Sequence, residues 1–204
     1  MDGQEYLNQI SATSQPIGST KQGWWRSKFF MWGMGALGVL IVIIIIGSIL
    51  GSAKGGEKNL SYALLLHLNN TAGLIQEYQP EVKSSALRSS SASLYGVLTN
   101  TSKNLNDFLV QKYDYKEKEV DTKIVEAATL EKDGLEADLF EAKINGTLDR
   151  IYAHKMAYEI SLFMSEEAKL IDSTGDSNLK ALLSESHSSL ENLYENFNSF
   201  SEAK

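Results

Sequence analysis

The chain has 204 residues, 43% of them hydrophobic and 22% charged, with a formal net charge of −7. That balance belongs to a chain with a globular part, neither disordered nor wholly embedded in lipid. Cysteine is absent, which excludes disulfides, thiolate metal sites and a cysteine nucleophile. No basic stripe interleaved with aromatics occurs, so nucleic acid is not an expected partner. The only prolines are Pro16 and Pro80, which leaves room for long uninterrupted helices.

Residues 1–28 are polar and aperiodic and read as a short disordered cytoplasmic tail. From Phe29 to Leu50 there is no charged residue across 22 positions. As a helix this run is roughly 33 Å long, enough to cross a hydrocarbon core of about 30 Å. Trp24, Trp25 and Trp32 cluster at its first end as an aromatic belt would. Lys21, Arg26 and Lys28 precede it and Lys54 and Lys58 follow it, a three-to-two bias toward a cytoplasmic N-terminus. The competing reading is a cleaved signal peptide ending near Gly51-Ser52-Ala53. The long polar start and the length of the apolar run favour an uncleaved signal anchor, a single-pass transmembrane helix over 29–50.

Inside the run, Gly33, Gly35 and Gly38 spell G-x-G-x-x-G. A dinucleotide loop needs a strand before it and a βαβ unit around it, and the flanking residues supply neither, so no nucleotide is expected. Gly47 and Gly51 form a small-xxx-small pair that suits a weak homodimer contact in the membrane. The plainer reading is that glycine is common in spans. Residues 51–58 read as a flexible linker.

The remaining residues, 59–204, form an acidic extracytoplasmic domain. Everything after the tail holds 16 basic and 24 acidic residues, a net of −8, read as a solvated bundle surface. A first helix is predicted from about Asn59 to Gln79, with Leu60, Leu64, Leu68, Thr71, Leu74, Ile75 and Tyr78 on one stripe and Pro80 as its stop. A second runs from about Glu81 to Gln111 on Leu87, Ser91, Leu94, Leu98, Thr101, Leu105 and Phe108. The alternating spacings of four and three are those of a bundle seam. A third, weaker helix spans about Lys118 to Lys132 on Val120, Ile124, Val125 and Ala128, with Asp133-Gly134 as its break. The fourth continues to Ser173, strongest over Leu148, Tyr152, Met156, Ile160, Phe163 and Leu170, with Asn145-Gly146 as an interruption. Asp176 or Ser177 caps a fifth helix bearing Leu179, Leu183, Ser186, Leu190, Leu193, Phe197 and Phe200. A shift of 92 positions lays the first helix on the fourth and the second on the fifth. The domain thus reads as two related helical hairpins joined by a long crossover. That is the plan of an all-α, ferritin-like bundle of four to five helices.

Thr147 to Met156, "TLDRIYAHKM", and Asp176 to Leu193 resemble a bacterial envelope family of unknown function. Its members are often labelled predicted outer-membrane proteins. The resemblance implies a ferritin-like bundle and an envelope location, and it implies no activity. Members often carry inner-helix histidines where this chain has Ile160 and Leu193, so the resemblance carries no metal site across.

No Glu-x-x-His, P-loop, G-x-S-x-G or His-Glu-x-x-His occurs. His67, His154 and His187 fall on three different predicted helices. Their plain reading is as exposed or hydrogen-bonded histidines; a metal site joining them with Glu159 or Glu185 is the sharper one. No catalytic, metal or cofactor residue is assigned. The expected function is a non-catalytic binding, structural or sensory role in the cell envelope, alongside the lipid bilayer and an envelope protein partner. The alternative is a metal-binding or oxidoreductase bundle with nonstandard ligands. An all-apolar core favours the first, a buried Glu/His cluster the second. With the topology inverted, the bundle is instead a membrane-tethered cytoplasmic module.

Overall fold

The computed structural model describes residues 56–116 and 120–200. The expected tail (1–28), the transmembrane helix (29–50), the Gly47 and Gly51 pair and most of the linker lie outside the described residues. Among the described residues no helix is long and apolar enough to cross a membrane.

Every described element is helical: α1 Gly56–Tyr78, a 3-10 turn Gln79–Glu81, α2 Ser85–Tyr113, α3 Thr122–Ile144, α4 Leu148–Ser173 and α5 Ser177–Asn198. One end of the bundle gathers the start of α1, the end of α2 and the start of α5. There Glu57 accepts from Lys112 Nζ and from the Tyr113 hydroxyl, and Lys112 Nζ lies 3.8 Å from Asp176. The other end gathers the starts of α2 and α4 and the end of α3. Asp149 accepts from the backbone N–H of Lys83 and of Ser84 at 2.9 and 2.7 Å, and Lys143 pairs with Glu81 at 3.0 Å. Successive helices therefore run in alternating directions.

Two hairpins, α1–α2 and α4–α5, pack together through α2 on α5 and α1 on α4, and α3 lies against α1 and α4. The starts of α1 and α4 are 92 residues apart, and so are the starts of α2 and α5. The acids clasping the two ends, Glu57 and Asp149, obey the same spacing. The two hairpins are thus related by an approximate two-fold axis across the middle of the bundle.

The seam residues fill the core. Leu68, Ile75, Leu94, Leu98, Tyr152, Phe163, Leu183 and Leu190 are buried, each large apolar side chain contributing about 1.5–3 kcal/mol. Between α2 and α5 the seam is polar at one level, where Thr101 Oγ1 donates to Ser186 Oγ at 2.9 Å. Asp176 caps α5 as expected, accepting from the N–H of Asn178 and Leu179, and Ser84 caps α2 at Leu87.

The boundaries around the crossover differ from the sequence expectation. Asp133-Gly134 is not a break: α3 runs through it, because Leu135, Leu139 and Ala142 carry the buried stripe onward. A helical glycine costs only about 1 kcal/mol, which such burial offsets. The break is at Asn145-Gly146. Gly146 has φ 68°, its N–H bonds to the Lys143 carbonyl, and the Thr147 N–H reaches back to Ala142. This pair of bonds is a Schellman stop, which needs a left-handed residue. Gly146→Ala is expected to cost about 1–2 kcal/mol, read as a lower urea midpoint. An unchanged midpoint contradicts the account.

Candidate functional site

A cluster of ionisable side chains sits where α1, α3 and α4 meet. His67 on α1 is buried among them, and its ring lies against Phe163 with centroids 4.2 Å apart. Glu159, Phe163 and Glu166 are spaced four and three apart on α4, so they share one face. That spacing brackets the ring with carboxylates. His67 Nε2 lies 2.8 Å from Glu159 and Nδ1 lies 3.0 Å from Glu166. His67 and Glu159 are related by the 92-residue spacing, so their contact lies on the approximate two-fold axis.

A neutral imidazole has one N–H and one acceptor nitrogen. Two ionised carboxylates facing both nitrogens are satisfied when both nitrogens donate, which is the imidazolium form. Burial alone pushes the His67 pKa down, but the charges and hydrogen bonds of Glu166 and Glu159 outweigh it and hold the pKa well above its ordinary value. Glu131 of α3 completes the group. Burial raises its carboxyl pKa and the two neighbouring carboxylates raise it further, against the opposing pull of His67. The arrangement can hold and exchange a proton. With both His67 nitrogens engaged, it offers no free ring donor to a ligand.

The other two histidines are elsewhere. His154 is exposed on α4. His187 on α5 is partly exposed, with Nδ1 3.6 Å from Glu167 and Nε2 3.9 Å from Glu191. It borders an open recess of about 600 Å³ whose walls include Met164, Ser165, Glu191, Asn192 and Tyr194. Of the two acids weighed with the histidines, Glu159 joins one and Glu185 is exposed and joins none. Among the described residues, no group of three or more His, Asp and Glu side chains is arranged to hold a metal ion.

Sequence reasoning missed Glu166, Glu167 and Glu131. For Glu167 a signal existed. The α4 stripe steps through Met156, Ile160, Phe163 and Leu170 and skips the core position between the last two, which Glu167 occupies with no exposed surface. For Glu131 there was none, because its helix carries a weak stripe.

No family model matches the chain, and neither a curated protein nor a solved structure matches it.

Proposed function

We propose that the chain is a single-pass membrane protein whose signal anchor, residues 29–50, displays a ferritin-like helical bundle outside the cytoplasm. The bundle serves a non-catalytic binding, structural or sensory role in the bacterial cell envelope. The uncharged run, its tryptophans and its flanking lysines support the anchor. Two hairpins related by a 92-residue spacing, with a long helical crossover, support the ferritin-like assignment. The observation that carries the non-catalytic role is the saturation of His67. Both of its nitrogens are spent on carboxylates inside the bundle, which makes the centre of the core a self-contained polar link.

A second reading, a metal-binding or oxidoreductase bundle, is favoured by a specific observation. The core is not wholly apolar, and buried Glu and His side chains lie at its middle.

Two measurements test these readings. Protease treatment of intact cells is expected to degrade the bundle, and a protected bundle places it in the cytoplasm instead. Elemental analysis of the chain purified from membranes is expected to give less than one metal ion per chain under the first reading. A stoichiometric transition metal supports the second and removes the first.

A further inference from the structure

We propose that Glu167 and His187 form a binding site for a divalent transition-metal cation of the zinc or cobalt type, reached past the His187 ring from the recess beside α5. The inference rests on the metal-binding reading and gives it a location away from His67.

Glu167 has no exposed surface, and neither of its carboxylate oxygens has a hydrogen-bond partner. The Ser186 hydroxyl is near enough to oppose the effect of burial on its pKa without making a hydrogen bond. A carboxylate taken out of water without partners is strongly disfavoured, and a proton or a cation must compensate it. A candidate partner is His187 Nδ1, 3.6 Å away, which is also buried and without a hydrogen bond.

The separation of these atoms discriminates between bonding modes. At 3.6 Å they are too far apart for a hydrogen bond. Two ligands each about 2.1 Å from one tetrahedral cation lie about 3.4 Å apart, close to what is observed. The other ring nitrogen faces Glu191 at 3.9 Å. A metal-bound histidine commonly donates its second N–H to a carboxylate, which fixes the ring with the opposite nitrogen on the metal. Glu191 is placed to be that positioning group.

The histidine side chain is 31% exposed and lines the recess, while Nδ1 and Glu167 lie buried behind it, so a cation reaches them as the ring moves aside. Glu191 and Glu195 on the wall raise the local cation concentration. An imidazole with carboxylates suits zinc, cobalt or nickel better than calcium or magnesium. The chain supplies two ligands, fewer than the three of a catalytic zinc site. The site is therefore exchangeable and takes up metal from solution.

The test is titration of the full, tag-free chain in detergent micelles. Zinc is followed by calorimetry, and cobalt by its visible absorption, whose intensity reports tetrahedral geometry. One equivalent is expected to bind. Glu167→Gln and His187→Asn are each expected to weaken it by at least about tenfold, Glu191→Gln by roughly tenfold, and His154→Asn not at all. Circular dichroism checks that each variant is folded. Glu167→Gln removes an unpartnered charge, so it remains folded even if the histidine variant does not. Binding that survives both Glu167→Gln and His187→Asn overturns this site and leaves the metal-binding reading to other residues. No binding to the unaltered chain overturns both.

Discussion

Replacing His67 with alanine is expected to destabilise the bundle by about 3–5 kcal/mol, seen as a large fall in the urea midpoint. Removing one partner of a buried ionic group leaves the others charged and unpaired, and the cost is of that size. Glu159 and Glu166 would be the orphans, with side chains 5% and 17% exposed. The lost stack on Phe163 adds to the effect. Replacing the ring together with its two carboxylate partners, His67→Met with Glu159→Leu and Glu166→Leu, is expected to be neutral or stabilising, because the buried ion pairs are then removed without leaving either partner unpaired. If the single alanine variant loses less than about 1 kcal/mol, the imidazolium assignment fails. The pH dependence has a fixed sign. The folded-state pKa of His67 lies well above the ordinary 6.5. Its stabilisation is therefore fully present below about pH 6.5 and is lost as the pH rises through the folded value. An unfolding series carried upward from about pH 7, where the Glu167 window has closed, should show the midpoint falling further as the ring loses its proton.

The elements that were legible in the sequence are those whose apolar stripe and cap agree. In α5, Asp176 stands at the cap and Leu179, Leu183, Leu190 and Phe197 follow on one face, all buried. In α2 the stripe from Leu87 to Leu105 is buried in the same way. The 92-residue echo was legible too, because two hairpins packed about one axis need the same seam twice. The crossover was not. Its helix has Leu130, Phe140 and Ile144 exposed at 67%, 57% and 69%, while half-buried Glu131 faces the His67 cluster. A helix that turns apolar residues outward and an acid inward has no clean period, so glycine is the only punctuation to read, and of the two candidates, Asp133-Gly134 and Asn145-Gly146, only the second ends the helix. The ionic cluster was hidden for a related reason. His67 stands next to the seam residue Leu68 and Glu159 next to Ile160, and only the antiparallel pairing of α1 with α4 brings these flanking positions face to face.

Glu167→Gln is expected to stabilise the bundle at neutral and alkaline pH, the reverse of the usual result for a core substitution. Burial holds the Glu167 carboxyl up at about 7, against 4.5 for the group in water, and the neighbouring Glu166 pushes in the same direction. Below about pH 4.5 the group is protonated in the folded and the unfolded chain alike, and it contributes nothing to the pH dependence. Between 4.5 and about 7 the unfolded chain releases the proton and the folded chain keeps it, so stability falls through this window. Above it the loss is complete, at roughly 3 kcal/mol. Glutamine keeps the shape of the protonated acid and cannot ionise. The variant should therefore match the unaltered chain near pH 4.5 and exceed it by up to roughly 3 kcal/mol at pH 8, when both are unfolded in urea with a chelator present. The chelator matters because a cation bound to Glu167 and His187 would stabilise only the unaltered chain. With zinc in place of the chelator, the gap at pH 8 should narrow. A difference between the two proteins that stays constant from pH 4 to 8 would falsify the assignment of Glu167 as the buried acid that titrates on unfolding.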